Sequence, residues 1–170
     1  MNNIETILKL RECSKVRRCH TIPHQGEYTV GKHSFDCVTL LLTLFPDAPL
    51  DAIKTMLLHD LGERWVGDMP CVAGWDDGAL GAAYRNAENN ALERNNIKLP
   101  ALEPRWAHVI RLVDKLELWI WSQEQLVHGN ASVQGCINRL SEYFDGLAAE
   151  GRLPVAVAEV LENYEWRRTS

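Results

Sequence analysis

The sequence predicts a single all-α domain, a compact helical bundle, from three observations. A chain of 170 residues has the length of one domain. Apolar residues recur at the three- and four-residue spacing of helices, and no stretch alternates apolar and polar residues for long enough to indicate a sheet. Apolar residues make up 46% and charged residues 24%, which is typical of a globular chain and argues against intrinsic disorder.

The N-terminal segment is predicted to contain two short helices and a loop. The first helix runs from Ile4 to about Cys13, and its buried face is expected to contain Ile4, Ile7, Leu8 and Leu10. A second helical segment is expected over Ser14–Cys19, because the serine hydroxyl can cap a helix. Thr21–Gly31 contains a proline and two glycines, which predict a loop.

The next part of the chain is predicted to form two helices followed by a loop. The first of these covers His33–Leu44, and one face of it carries His33, Cys37, Leu40, Leu41 and Leu44. The second is expected over about Leu50–His59, with Asp47 or Pro49 at its start. Gly62, Gly67 and Pro70 interrupt Leu61–Asp77, which predicts a loop with one turn of helix.

The second half of the chain is predicted to be helical, with a linker marked by Pro100 and Pro104. Its helices are predicted at Ala79–Asn95, Arg105–Val127, Val133–Ala149 and Val155–Trp166. The last two helices carry no evident chemical motif. We therefore expect residues 131–170 to be scaffold helices of one domain that spans residues 1–170.

Charge and cysteine content exclude several classes of protein. The net charge of −5 argues against a general nucleic-acid binder, which normally carries a basic excess. The cysteines are odd in number and contain no C-x-x-C pair, which predicts reduced cytosolic thiols; they are Cys13, Cys19, Cys37, Cys71 and Cys136. Met1–Lys9 lacks the apolar core of a signal peptide, and no apolar run reaches the roughly 20 residues of a membrane span, so a cytoplasmic protein without membrane association is expected.

Two histidines and two aspartates stand out because each lies in an apolar context. His59 and Asp60 end an apolar helix, and their burial is costly unless both find partners. His33 begins another helix, and Asp114 interrupts the apolar stretch around it. Imidazole and carboxylate ligands together suit a borderline divalent ion such as Mn²⁺, Co²⁺, Fe²⁺, Ni²⁺ or Zn²⁺, with Mg²⁺ as a further candidate.

Each of these residues also has an ordinary structural explanation. His33 alone can be a helix cap or a satisfied core side chain, and Asp114 can form an ion pair with Arg111 or Lys115. The joint pattern favours the metal.

The order His33, then His59-Asp60, then Asp114 resembles the H…HD…D signature of the HD-domain metal-dependent phosphohydrolases. Thr29–Phe35 is similar to the T-V-x-E-H-S segment of that superfamily. Leu58–Pro70 resembles the H-D-x-x-E-x-x-x-G-D-x-P segment of its YfbR-type 5′-deoxynucleotidase branch. Asp114-Lys115-Leu116-Glu117 is similar to the closing D-K-L-E of that branch, and the resemblance covers about residues 5–125.

The resemblance implies an HD-domain helical bundle whose catalytic motifs lie within residues 18–114. It implies that the metal ligands are His33, His59, Asp60 and Asp114. Glu63 is then expected to act with Asp60 on the attacking water. Among the substrate-binding residues, Asp68 would accept a hydrogen bond from the sugar 3′-hydroxyl and Arg18 would pair with a phosphate, with further charge from Lys115.

Three positions depart from the pattern of that branch, and all of them concern substrate choice. Lys32 replaces an acidic residue, Cys19 replaces an aromatic residue, and Gly74 stands where a lysine is usual. The resulting candidates for a base pocket are His20, Ile22 and Trp75. For Ile22 and Trp75, ordinary packing is the alternative explanation.

The resemblance implies a hydrolase that cleaves the 5′ phosphoester of 2′-deoxynucleotides. The chain is short, and its loop pattern is most similar to that of the small phage enzymes that remove triphosphate from dATP, the DatZ type. Such an enzyme would act in the host cytoplasm. A deoxynucleoside monophosphate 5′-nucleotidase is the alternative, and an idle nucleotide-binding module is a third. A small-molecule substrate and a homo-oligomer are the expected partners.

Overall fold

The computed structural model describes residues 3–70, 75 and 77–169, and it confirms an all-α fold. Within these residues no strand is present. The helices are α1 (Asn3–Cys13), α2 (Val30–Leu44), α3 (Leu50–Leu58), α4 (Glu63–Val66), α5 (Gly78–Arg94), α6 (Pro104–Val127), α7 (Gln134–Ala149) and α8 (Val155–Thr169). None of these helices is long and apolar enough to cross a membrane.

Most predicted helices are found within a few residues of their expected ends, because local signals set those ends. The Thr29 hydroxyl accepts a hydrogen bond from the Lys32 amide at the start of α2. The Asp77 carboxylate caps α5 in the same way. Pro104 occupies the first turn of α6, where its missing amide hydrogen costs nothing. The single helical turn expected within Leu61–Asp77 is α4. It ends at Val66, and the next residue, Gly67, has a positive φ of 82°.

Helix α6 is the centre of the molecule, because α2, α3 and α7 all pack against it. It is apolar around most of its circumference, as a helix enclosed by others must be. The main core contains, among other side chains, Leu41, Met56, Leu112, Leu116, Trp119, Leu140 and Phe144. The expected inward face of α2 is confirmed, since His33, Cys37 and Leu41 are all buried.

A second, smaller apolar cluster lies beneath α1, α4 and α5. Its buried members are Cys13, Val30, Leu61 and Leu92. Helix α5 approaches the start of α4 so closely that a Cβ on Gly62 would lie 2.6 Å from the Cβ of Glu88. This close approach fixes the loop that follows α3.

The predicted buried face of α1 is wrong. Ile4, Ile7 and Leu8 are 68%, 53% and 56% exposed, and Leu10 is half-buried. The main helical neighbour of α1 is the four-residue α4, which is too short to cover the length of α1. Contact is therefore made at the end of the helix, where Cys13 is buried.

The predicted helix over Ser14–Cys19 is also wrong, because its backbone pairs with a distant segment instead. The Arg18 amide donates to the Tyr28 carbonyl, and the Val30 amide donates to the Val16 carbonyl. Arg17 and Thr29 form an isolated antiparallel bridge. A local pattern does not reveal a pairing with a segment ten residues further along.

None of the four described cysteines forms a disulfide. Cys71 and Gly74, which also entered the sequence predictions, lie outside the described residues. The expected homo-oligomer stays a prediction.

Candidate metal centre

The fold brings the four predicted metal ligands together from three helices. His33 lies in the first turn of α2, His59 and Asp60 follow α3, and Asp114 is in the middle of α6. The Nε2 atoms of the two histidines are 3.2 Å apart. His33 Nε2 is 3.2 Å from Asp114 Oδ1 and 3.4 Å from Asp60 Oδ2. His59 Nε2 is 3.3 Å from Asp60 Oδ1.

The orientation of the two imidazoles leaves their Nε2 atoms directed into this centre. His59 Nδ1 donates to the Met56 carbonyl at 2.7 Å. His33 Nδ1 is 2.5 Å from Glu117 Oε2. With their Nδ1 protons held in this way, neutral imidazoles offer two Nε2 lone pairs to a point already surrounded by carboxylate oxygens. Two imidazole nitrogens and two carboxylates directed at one point form a ligand set that fits a divalent cation.

The charges in the centre also favour a bound divalent cation. Burial lowers the pKa of His59, but the Asp60 and Asp114 carboxylates outweigh it and raise that pKa to about 9. Burial raises the pKa of Asp114, yet hydrogen bonds with His33 and His59 bring it well below its usual value. The negative carboxylates thus favour the protonated, positively charged form of the imidazoles. A divalent cation would displace those protons on binding.

Cys37 offers a third kind of ligand. One ligand atom from each of His33, Cys37 and His59 lies within 4.8 Å of the others, so this group could hold a metal ion. Burial, and next the Asp114 carboxylate, raise the pKa of the Cys37 thiol well above its usual value. A metal binds the thiolate, so Cys37 would have to lose its proton to act as a ligand.

The sequence analysis missed the role of Glu117 and Tyr28, which orient His33. The buried Glu117 carboxylate also accepts a hydrogen bond of 2.5 Å from the Tyr28 hydroxyl. Tyr28 in turn stacks on Trp121, with ring centroids 4.3 Å apart. A signal for Glu117 did exist, because it lies three residues after Asp114 and therefore on the same helix face. Tyr28 comes from a loop and has no periodicity that could have identified it.

Arg18 and Glu63 complete the centre on its α4 side. Arg18 is buried, forms a close ion pair with Asp60 Oδ2, and lies 3.6 Å from Glu63 Oε1. Burial, and next the Asp60 charge, raise the pKa of Glu63 to about 10. Glu63 Oε2 is buried and has no hydrogen-bond partner in the described part of the chain. A buried carboxyl group with an unsatisfied oxygen is costly, which makes Glu63 a candidate functional residue.

Asp68 lies beside this group and is held by the backbone. Its Oδ2 accepts a hydrogen bond of 2.9 Å from the Cys19 amide. Cys19 has a φ of 50°, an uncommon conformation for a residue with a side chain. The His20 Nδ1 is 3.6 Å from the same oxygen of Asp68. The tight turn at Cys19 thus brings its neighbour Arg18 to Asp60 and its own amide to Asp68.

The remaining predicted substrate residues are divided between two cavities. His20 and Ile22 line a cavity of about 650 Å³, and Ile22 also belongs to the main core. Trp75 and Lys115 line a different cavity of about 360 Å³. Lys115 Nζ lies over the Tyr143 ring, 5.4 Å from its centroid, rather than beside Asp114. The structure therefore does not unite His20, Ile22 and Trp75 in one pocket, and their roles stay predictions.

No protein-family model and no curated protein matches the chain. Several solved structures share its fold, and two of them serve as examples. The PH0347 protein from Pyrococcus horikoshii OT3 is similar with a TM-score of 0.68 and 20% identity, over 97% of this chain and 99% of that chain. A conserved hypothetical protein from Pyrococcus furiosus is similar with a TM-score of 0.63 and 20% identity, over 88% of this chain and 99% of that chain. At this level of identity the similarity shows the fold alone.

Proposed function

We propose that this protein is a metal-dependent phosphohydrolase that cleaves the 5′ phosphoester of 2′-deoxynucleotides. The observation that carries the proposal is the convergence of His33, His59, Asp60 and Asp114 on one point. We propose these four as the ligands of Mn²⁺, Co²⁺, Fe²⁺, Ni²⁺ or Zn²⁺, with Mg²⁺ as a further candidate. A divalent ion supplies Lewis-acid polarisation of a phosphoryl oxygen and makes water more acidic.

The surrounding side chains suit the rest of a phosphoester hydrolysis. In this reaction the water oxygen bonds to phosphorus while the bond from phosphorus to the 5′ oxygen breaks. Glu63 lies 3.6 Å from the Arg18 guanidinium, and its unsatisfied oxygen is available to hold the attacking water. Because burial and the Asp60 charge raise its pKa, Glu63 could accept a proton of that water only once a cation bound beside it favoured its ionised form. Arg18 provides a buried positive charge for the phosphate, because its buried Nε has no hydrogen-bond partner among the described residues.

The proposed nucleotide substrate rests on the sequence motifs around Asp68 and Arg18, which resemble those of the deoxynucleotidase branch. Asp68 is held by the Cys19 amide beside Arg18, a position from which its carboxylate can bind a sugar hydroxyl. Our first candidate is dATP, with deoxyadenosine and triphosphate as products.

The second candidate is a deoxynucleoside monophosphate 5′-nucleotidase, and one observation favours it. Among the described residues, Arg18 alone of the arginines and lysines forms an ion pair with a proposed metal ligand. One such cation suffices for one phosphate group. Lys115, which would add charge for a longer phosphate chain, lies over Tyr143. The products distinguish the two candidates, since one reaction releases triphosphate and the other orthophosphate.

The test is a product assay with a matched pair of variants. Purified protein is incubated with each divalent metal and with all four deoxynucleoside mono- and triphosphates, and the products are separated by chromatography. Glu63→Gln should keep the metal and lose turnover by roughly 10²- to 10⁴-fold, the range for removing a general acid or base. Glu93→Gln makes the same chemical change at an exposed position of α5 and should have no effect.

Each other result has a definite meaning. Turnover of monophosphates alone would select the nucleotidase. An unchanged rate in Glu63→Gln would remove Glu63 from the mechanism. Failure of every metal and nucleotide to react would overturn the proposal and favour a nucleotide-binding module.

A further inference from the structure

A cavity of about 650 Å³ lies on the outer side of the chain segment that carries Arg18. It is enclosed by residues 14–17 and by the loop over residues 20–29. Its polar lining includes Lys15, Arg17, His20, His24, Glu27 and Thr29. None of the four proposed metal ligands, nor Arg18 or Glu63, lines it.

Backbone pairing explains why Arg17 and Arg18, although adjacent in sequence, lie at the cavity and at the metal centre respectively. Residues 16–18 pair with residues 28–30 through hydrogen bonds of 2.9 Å at Arg18–Tyr28 and at Val30–Val16. Side chains of paired extended segments alternate between the two faces. Arg18 and the Tyr28 hydroxyl accordingly lie towards the metal centre, where they contact Asp60 and Glu117, whereas Arg17 and Thr29 line the cavity. The direction of the Arg17 side chain is thus fixed by tertiary pairing.

The cavity has an excess of positive charge. Lys15 and Arg17 line it against a single carboxylate, that of Glu27. Both basic side chains are exposed, and no ion pair with a carboxylate is found for either among the described residues. His24 Nδ1 already donates to the Ile22 carbonyl at 2.9 Å, so Lys15 and Arg17 are the groups that supply the positive charge. A concave site with fixed cations attracts anions, and phosphate groups pair well with arginine.

We propose that this cavity binds a nucleotide-sized ligand that carries several phosphates, at a site separate from the metal centre. The volume falls within the range of roughly 300–1,000 Å³ for small-molecule sites. Tyr28 lies between the cavity and the metal ligands, because its side chain is 1% exposed and its hydroxyl is bonded to Glu117 on the metal side. His20, which also lines the cavity, lies 3.6 Å from Asp68 at the edge of the metal centre. A ligand in the cavity would touch Tyr28 and Thr29, the residues that orient His33 and cap α2.

The experiment uses the full chain with EDTA present, so that no metal can recruit the anion. Inorganic tripolyphosphate is the probe, and its binding is measured by titration calorimetry. We expect Lys15→Gln/Arg17→Gln to weaken binding at least tenfold. The control Arg94→Gln/Lys98→Gln removes the same charge at exposed positions away from the cavity and should bind as the unaltered protein does.

The position of the anion is measured independently on the unaltered protein by amide resonances. Tripolyphosphate should shift the resonances of residues 14–17 and 26–29 and leave those of Asp60 and Asp114 unchanged. Three results would overturn the proposal: no binding at millimolar probe, equal affinity in the cavity variant, or shifts centred on Asp60 and Asp114. The last result would assign the anion to the metal centre. None of these outcomes depends on whether the protein is a hydrolase.

Discussion

Glu117→Gln is the sharpest test of how the fold prepares the metal centre. Glu117 is 3% exposed, and its Oε2 accepts hydrogen bonds of 2.5 Å from both the Tyr28 hydroxyl and His33 Nδ1. The amide oxygen of glutamine can take the same place, so the shape is kept while the negative charge is lost. Hydrogen bonds to a charged acceptor are roughly twice as strong as neutral ones, and the charge also makes His33 a more basic ligand.

Loss of such an orienting partner typically lowers metal affinity 10- to 100-fold, which corresponds to about 1.4–2.8 kcal/mol of binding free energy. We expect this loss for Co²⁺ and Mn²⁺, measured by titration calorimetry alongside unfolding curves that establish that the variant is folded. Glu124→Gln is the matched control, because it makes the same change at an exposed position of the same helix. Equal affinity in Glu117→Gln and the unaltered protein would refute the assignment of Glu117 as the partner that orients His33.

Two further predictions follow from the packing and from the ligand set. Gly62→Ala should destabilise the protein by about 1–3 kcal/mol, because the new Cβ would lie 2.6 Å from the Cβ of Glu88. Gly146→Ala on α7 meets nothing within 4 Å and should stabilise by about 0.5–1 kcal/mol; urea unfolding that ranks the two variants the other way would contradict this account. The Cys37→Ala variant should still bind the metal, whereas the Asp114→Asn variant should lose most of its affinity for the metal. A sulfur-to-metal charge-transfer band in the Co²⁺ protein that disappears in Cys37→Ala would instead show that the thiol is a ligand.

The sequence predicted the helices well where burial is set by the pattern of one segment. The apolar face of α2 and the long apolar α6 are enclosed by neighbours, so their periodicity was a sound guide. The same reasoning failed for α1, whose apolar residues at helical spacing stay exposed because its main helical neighbour, α4, is too short to cover them. Periodicity shows which face a helix could bury. It does not show whether anything covers that face.

The sequence by itself determined the donor set of the candidate centre, because residue type fixes chemistry and an acidic residue within an apolar helix indicates a special role. It identified His33, His59, Asp60 and Asp114, which the fold places within a few ångströms of one another. Only the tertiary structure decided that Glu117 orients His33, because that contact joins residues 84 positions apart. It also decided that Arg18 and Arg17 face opposite sides. Two adjacent arginines are chemically alike, and a long-range backbone pairing, invisible to any local pattern, separates the metal centre from the cavity beside it.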